Sequence, residues 1–162
     1  MKTILVILYS VISIITYSQT RLDSLVLVEL NNYRKSLNLK EVSFSEECYK
    51  ISEAHSEKLV SSKDSLYHSD NFIAAEVVHV VYNYRIPKDE KDPDVILAKE
   101  ILTSWKNSKE HNRIITSPKY KFAGASTKIV GDVKTVSIFD PTIKRFKPVY
   151  LYSLFSTLNF KK

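Results

Sequence analysis

The sequence predicts an α+β fold in which helices come first and an antiparallel sheet comes last. Apolar residues recur at helical spacing through the first two thirds of the 162-residue chain. From Lys119 onward the chain changes to segments rich in Val, Ile, Thr, Tyr and Phe, separated by turn residues. Because helices and strands do not alternate, a parallel βαβ arrangement is not expected. One layer of helices should instead cover each apolar face of the sheet.

The helical part is predicted to contain three long helices. Thr20 and Asp23 are spaced as in a capping box and begin the first, which ends near Asn38. Ser43 and Glu46 form a similar start for the second helix. Asp92-Pro93 places a cap and an N-terminal proline at the start of the third. The segment 72–84 is predicted to be helical at its beginning.

The C-terminal part is predicted to contain three antiparallel strands, at Phe122–Val130, Val133–Phe139 and Pro148–Leu158. Gly131-Asp132 and Asp140-Pro141 are the turn residues between them.

Residues 1–18 have the layout of a secretory signal peptide. Lys2 precedes an apolar run from Ile4 to Ile15, and Thr16 and Ser18 are small residues at positions −3 and −1 of a cleavage site. An uncleaved anchor helix is the alternative, but the run is shorter than the ~20 residues of a membrane span. We therefore expect cleavage after Ser18, a single domain over residues 19–162 without a transmembrane segment, and a secreted or periplasmic protein.

Composition excludes several kinds of site. The chain is 44% hydrophobic and 26% charged, as in an ordinary globular domain. Its one cysteine, Cys48, cannot close an internal disulfide or supply a cysteine-based zinc site, and it lies on an apolar helix stripe where it should be buried. Two glycines are too few for a P-loop or a dinucleotide-binding fingerprint.

The net charge of +6 is concentrated in the predicted sheet. Residues 117–162 hold nine basic and two acidic side chains, whereas residues 1–116 hold 15 and 16. Such a surface could face nucleic acid, lipid headgroups or acidic polysaccharide, or its lysines could protect solvent-exposed faces and strand edges. The chain has no recognisable nucleic-acid-binding module and is expected to be exported. We therefore favour protection, expect no nucleic-acid partner, and expect the charge to lie away from every histidine.

Three short segments carry the residues best suited to a site. They are His68-Ser69 in a loop, Ala75-Glu76 at the start of the predicted short helix, and the segment 105–111. In that last segment Trp105, Ser108 and His111 follow one another at steps of three and should lie near one face. Neither an HExxH nor a GxSxG pattern is present in the sequence.

These segments occur in an order that resembles the CAP superfamily (cysteine-rich secretory, antigen 5 and pathogenesis-related 1 proteins), in its bacterial SCP-like form. Asn31-Asn32-Tyr33-Arg34 resembles the N-x-x-R of the first helix, and Ala54-His55-Ser56 resembles the A-H-S of the second. Three further resemblances follow along the chain: His68-Ser69, Ala75-Glu76-Val77 and the W-x-x-S-x-x-H at 105–111. The resemblance implies a three-layer α-β-α sandwich with a central antiparallel sheet.

The resemblance also implies a cleft lined by two histidines and a glutamate, which in some members binds zinc or another divalent ion. By position these are His68, His111 and Glu76, with the two histidines as the metal ligands. Ser108 stands where animal members carry a second glutamate. Glu76 could instead have a purely structural role. His79, three residues after Glu76, could extend a metal site from the same helical face, whereas His55 is expected to be an interior group.

Two functions follow from these expectations. The first is an exported binding module whose ligand is a lipid, an envelope polysaccharide or a protein. The second is a divalent-metal-dependent hydrolase in which an ion held by the histidines activates water and Glu76 acts as the base. The missing second glutamate and the absence of a marked nucleophile favour the binding module over an enzyme.

Overall fold

The computed structural model describes residues 20–62, 66–140, 142 and 144–162, with the main chain alone described for 131–140 and 146–148. The predicted signal peptide, residues 1–18, lies outside the described residues. The helices are α1 (Arg21–Ser36), α2 (Glu46–Ser62), α3 (Pro93–Asn107) and α4 (Lys109–Ile115). The strands are β1 (Ser43–Phe44), β2 (Ala75–Pro87), β3 (Phe122–Asp140) and β4 (Arg145–Lys161). Within this part of the chain, no helix has both the length and the apolar character needed to cross a membrane.

The α+β fold is confirmed. The strands form one sheet in the order β1-β3-β4-β2, in which β4 pairs antiparallel with β2 and β3. The two-residue β1 pairs parallel with β3 and makes the sheet mixed. β1 and β2 are the edge strands, so loops and helices can pack beside the first residues of β2.

The number of strands predicted after Phe122 was wrong. β3 is one strand, and Gly131-Asp132 lies where its register against β4 shifts, between Val130 and Lys134. A glycine permits an irregularity inside a strand as readily as it permits a turn. The chain reverses instead between Asp140, the last residue of β3, and Arg145, the first residue of β4, which are paired with each other; Lys144 has a φ of 51°.

The helix predicted at the start of segment 72–84 was also wrong. Ala75–Pro87 is strand β2, paired with β4 along its length except for a register shift between Val81 and Tyr84. The strand preference of the valines and tyrosines in this segment decides the outcome. Glu76 and Ala75 therefore stand at the start of a strand, and adjacent side chains point to opposite faces of the sheet.

The predicted helix starts are confirmed for α1 and α3. Thr20 and Asp23 form a capping box at α1, and the side chain of Asp92 caps α3 ahead of Pro93. In α2 the first-turn acceptor is Ser45 rather than Ser43, because the Ser45 hydroxyl accepts from the N–H of Cys48. Ser43 belongs to β1.

Helices cover both faces of the sheet. α1, α3 and α4 pack on one face, around a core that includes Trp105, Val77, Ala125 and Leu158. α2 packs on the other face, where Leu59 meets Val78 and Phe155. Consecutive residues such as Val77 and Val78 thus pack in the cores on opposite faces of the sheet, as strand geometry requires.

α2 lies unusually close to the sheet at Gly124. A Cβ built on Gly124 would lie 2.2 Å from the main-chain nitrogen of Tyr49, so only glycine fits between strand and helix. The hydroxyls of Ser52 and Ser56 donate to the carbonyls of Gly124 and Ser126 at 2.7 and 2.9 Å. The buried Cys48, as expected, is part of this contact layer.

Candidate functional site

A cleft opens beside the first residues of β2, with a volume of about 510 Å³. The structure brings three of the predicted site residues, His68, Glu76 and His111, to its wall. They come from the loop before β2, from β2 itself and from α4. Apolar side chains form much of the remaining wall, namely Phe72, Ala74, Ala75, Ile114 and Tyr120.

Glu76 holds the His68 loop against the sheet. One carboxylate oxygen, Oε1, accepts from the Ser69 N–H at 2.8 Å and lies 3.1 Å from Nδ1 of His68. The other oxygen, Oε2, accepts from the side-chain amide of Asn159 on β4 at 3.2 Å. The Glu76 side chain is 1% exposed, so both oxygens are bound by the protein and hardly meet solvent.

The same contact orients the imidazole of His68. Because a carboxylate accepts, Nδ1 carries a proton, and in the neutral form of the ring Nε2 carries the free lone pair. The side chain of His68 is 57% exposed. Its ring centroid lies 6.5 Å from that of His111, with the planes at 81°, so the two imidazoles stand edge to face.

His111 lies in the first turn of α4, which begins at a break in the helical chain. α3 ends at Asn107, and the Ser108 hydroxyl accepts from the His111 N–H at 3.4 Å as the cap of α4. Ser108 therefore acts on the main chain, and in the described structure it is not part of the cleft wall. The predicted common face of Trp105, Ser108 and His111 was wrong, because the helix does not continue through Ser108.

The pKa of His111 is lowered from its ordinary value, first by burial and then by repulsion from His68. Its imidazole is accordingly neutral at pH 7. The neutral ring of His111 therefore offers the cleft one hydrogen-bond donor and one acceptor.

His55 is buried behind Glu76. Its Nε2 lies 2.9 Å from the carbonyl of Tyr67, which only accepts, so Nε2 is protonated. Nε2 lies 3.7 Å from Oε1 of Glu76, and Nδ1 has no hydrogen-bond partner. His55 thus lies in the interior, as expected, and supports both the glutamate and the loop that carries His68.

His79 and Glu76 point to opposite faces of the sheet, whereas the predicted helix would have placed them on one face. In a strand, residues three apart point to opposite faces. Burial lowers the pKa of His79 to about 4, with a further contribution from His111, so the ring is neutral. Its Nε2 is buried without a hydrogen-bond partner.

Arg34, in the N-x-x-R segment, holds the far wall of the cleft. Its buried guanidinium donates to the carbonyls of Ile115 and Ser117 at 2.7 and 3.1 Å and to that of Lys40 at 2.9 Å. Tyr33 donates to the side chain of Asn112 on α4 at 3.0 Å. These contacts fix α4 and the following turn, which carry His111 and Tyr120.

Most of the chain matches a known protein family. The profile of the Cysteine-rich secretory protein family (CAP) matches residues 27–139, which include all four histidines. The chain belongs to the CAP family.

Two solved structures are similar to this CAP chain. One is an outer surface protein from Borrelia burgdorferi, with a TM-score of 0.50 and 13% identity over 90% of this chain and 96% of that one. The other is an extracellular protein containing an SCP domain from Bacillus anthracis, with a TM-score of 0.52 and 12% identity over 87% of this chain. This chain spans 40% of that second protein. A comparison with curated protein sequences finds no match.

The positions of the donor atoms show whether these residues fit the divalent ion that is expected in some CAP proteins. A zinc ion bound tetrahedrally by one nitrogen of each ring would set the His68 and His111 centroids roughly 5 Å apart, closer than the 6.5 Å found here. Both oxygens of Glu76 are bound by the protein. Among the described residues, no group of three or more His, Cys, Asp or Glu side chains is arranged to hold a metal. The described residues therefore do not form a complete metal site.

Positive charge lies closer to this CAP cleft than the sequence indicated. Lys119 and Arg113 both line the cleft, together with Glu110, which pairs with Arg113 at 3.4 Å. The expectation that the basic C-terminal part lies away from every histidine was wrong. The turn after α4 brings Lys119 to the wall of the cleft.

Proposed function

We propose that this CAP chain is an exported binding module whose cleft takes an amphiphilic ligand with an anionic head, in keeping with the lipid class of ligand. The observation that carries the proposal is the composition of the cleft wall. Phe72, Ile114 and Tyr120 give it an apolar side, while His68, His111 and Lys119 give it donors and positive charge. A volume of about 510 Å³ suits one small ligand or one end of a longer one.

The hydrogen bonds of Glu76 favour binding over hydrolysis. A general base must reach the proton that it removes. Here both Glu76 oxygens are occupied by Ser69, His68 and Asn159. Glu76 thus serves to fix His68, and the second candidate, a metal-dependent hydrolase, lacks its base.

One observation keeps the metal-dependent alternative open to test. A carboxylate that binds Nδ1 of a histidine is the usual support of a metal-ligating imidazole, and Glu76 stands in that relation to His68. Calorimetric titration with zinc should be run on the wild type, His68→Ala and His111→Ala. If zinc binding gives no heat, or the same heat in all three proteins, the metal-dependent alternative is excluded. If the heat of zinc binding is lost in both variants, that alternative is supported.

Sodium dodecanoate is a direct probe of the proposed ligand chemistry, since it joins a carboxylate to an apolar chain. We expect saturable calorimetric binding that weakens at least fivefold in Lys119→Gln and in Ile114→Ser. Lys99→Gln, which removes an exposed charge from α3, is the matched control and should bind as the wild type does. Binding of soluble peptidoglycan fragments without binding of dodecanoate would instead assign the cleft to an envelope polymer.

The proposal of export rests on the sequence of residues 1–18. The Bacillus anthracis neighbour is described as extracellular and the Borrelia burgdorferi neighbour as an outer surface protein. A secreted or periplasmic location would place the cleft where envelope lipids are available.

A further inference from the structure

Exposed apolar side chains line the end of the sheet where β1, β2 and β3 begin and β4 ends. Phe44 on β1 is 47% exposed, Phe122 on β3 38%, and Ile73, two residues before β2, 36%. Strand register places them at this end of the sheet: Ser43 and Phe44 are opposite Phe122 and Ala123, Phe122 is opposite Lys161, and Phe160 is opposite Ala75. Adjacent residues of a strand point to opposite faces, so Phe44 and Phe122 lie on different faces of this end, which is about 14 Å wide with strands about 4.8 Å apart.

Lysines lie at the same end of the sheet. Lys121 precedes Phe122, and its N–H donates to the carbonyl of Lys161. Ile73 lines a shallow hollow together with Lys161 and Lys162. Lys161 pairs with Glu47 at 2.7 Å, whereas among the described residues neither Lys121 nor Lys162 has an acidic partner. The sheet-end surface, defined as Phe44, Ile73, Phe122, Lys121, Lys161 and Lys162, is thus apolar and positively charged.

We propose that the sheet-end surface docks on an anionic lipid bilayer. Aromatic and aliphatic groups can enter the headgroup region while lysines, whose ammonium groups stay in water, contact lipid phosphates. The apolar area exposed by the three side chains is roughly 200 Å², well below the ~800 Å² per partner of a stable protein interface. Lysine is also depleted from the cores of such interfaces. The area and the charge together favour a bilayer over a second copy of the chain.

The position of the surface relates it to the cleft. Ala74 lines both the cleft and the hollow beside Lys161, so the two are adjacent. Docking at the sheet end would bring the cleft close to the membrane. The proposal itself does not depend on the cleft having a ligand.

Co-sedimentation with vesicles tests the docking surface, using the chain from residue 19 to 162, which contains every described helix and strand. Vesicles of phosphatidylcholine alone should be compared with vesicles containing about one third phosphatidylglycerol. We expect binding to the anionic vesicles only, weakened at least tenfold in Lys121→Gln/Lys162→Gln and also lost in Phe122→Ser. Lys58→Gln/Lys99→Gln removes the same charge from exposed sites on α2 and α3 and should bind as the wild type does.

Three results would overturn the proposal. One is a wild type that stays in solution with anionic vesicles. Another is an equal loss in the two lysine double variants, which would show that only net charge matters. The third is a dimer in sedimentation velocity that Phe122→Ser dissociates, which would assign the surface to a second copy. His111→Ala should bind vesicles normally, so failure of the cleft proposal and failure of the docking proposal can be told apart.

Discussion

Asp23 and His79 are buried groups whose pKa values are displaced in opposite directions. Asp23 is fully buried, and its carboxylate accepts from the Thr127 N–H at 2.6 Å. Burial outweighs this and its other hydrogen bonds and raises the pKa to about 6, from an ordinary value of 3.8. Burial lowers the pKa of His79 to about 4, from 6.5. At 1.36 kcal/mol per pH unit, each displacement corresponds to about 3 kcal/mol.

The two displacements have opposite effects on stability. Between pH 4 and 6 the folded state keeps a proton on Asp23 that the unfolded chain releases, so the free energy of unfolding falls as pH rises. Between pH 4 and 6.5 the imidazole of His79 binds a proton in the unfolded chain but stays neutral in the folded protein. The free energy of unfolding therefore rises with pH. In the wild type these contributions nearly cancel, apart from a smaller rise from His111, whose pKa is also lowered.

Removing one of the two ionisable groups should reveal the pH dependence that the other gives to the free energy of unfolding. Urea unfolding at pH 4, 5, 6 and 7 can be followed by the fluorescence of Trp105, the one tryptophan of the chain, which is buried. In Asp23→Asn the free energy of unfolding should rise by about 3 kcal/mol from pH 4 to 7. In His79→Leu it should fall over the same range, by an amount that His111 reduces. Profiles of the same slope in both variants would refute the assignment of these two groups.

The remaining predictions concern the cleft, the contact between helix and sheet, and processing. Glu76→Ala should lower the free energy of unfolding by about 3 kcal/mol or more, because it leaves the Ser69 N–H and one N–H of the buried Asn159 amide, whose other N–H donates to Ser52, without an acceptor. Glu76→Gln should recover most of that loss in urea unfolding, and equal losses would contradict the role given to the carboxylate. Gly124→Ala should cost about 1–3 kcal/mol, because the new methyl group overlaps the main chain of Tyr49; thermal unfolding at wild-type temperature would contradict that packing. N-terminal sequencing of the protein recovered from a bacterial periplasm or culture medium should begin at Gln19, and a product that retains Met1 would exclude cleavage.

The helices and their order could be predicted because their signals are local. The capping box of Thr20 and Asp23 and the cap at Asp92 act within one turn of helix. Their predicted positions are therefore those found.

The strands were harder to predict because their partners are distant. β2 contains a valine-rich run that pairs with β4 some 80 residues later, so pairing rather than periodicity decides its conformation. The same applies to Gly131, where pairing of both flanks of β3 with β4 turns a local turn signal into a register shift.

The site residues were found through motif order, but their roles needed the structure. Spacing could not show that Ser108 caps α4 or that Glu76 is bound by Asn159 from another strand. Nor could it show that Lys119 comes back to the cleft, because this depends on Arg34 holding the turn after α4. Each of these contacts joins residues from separate elements, except the Ser108 cap, which is local and carries the N-cap signature of serine.

The central claim is that His68 and His111 face a ligand together while His55 stays behind Glu76. Imidazole ¹H–¹⁵N correlation spectra recorded during a titration with sodium dodecanoate test it most directly. The ring signals of His68 and His111 should move together and saturate, and those of His55 should stay in place. Saturable binding of dodecanoate with both cleft histidines unmoved would contradict the claim.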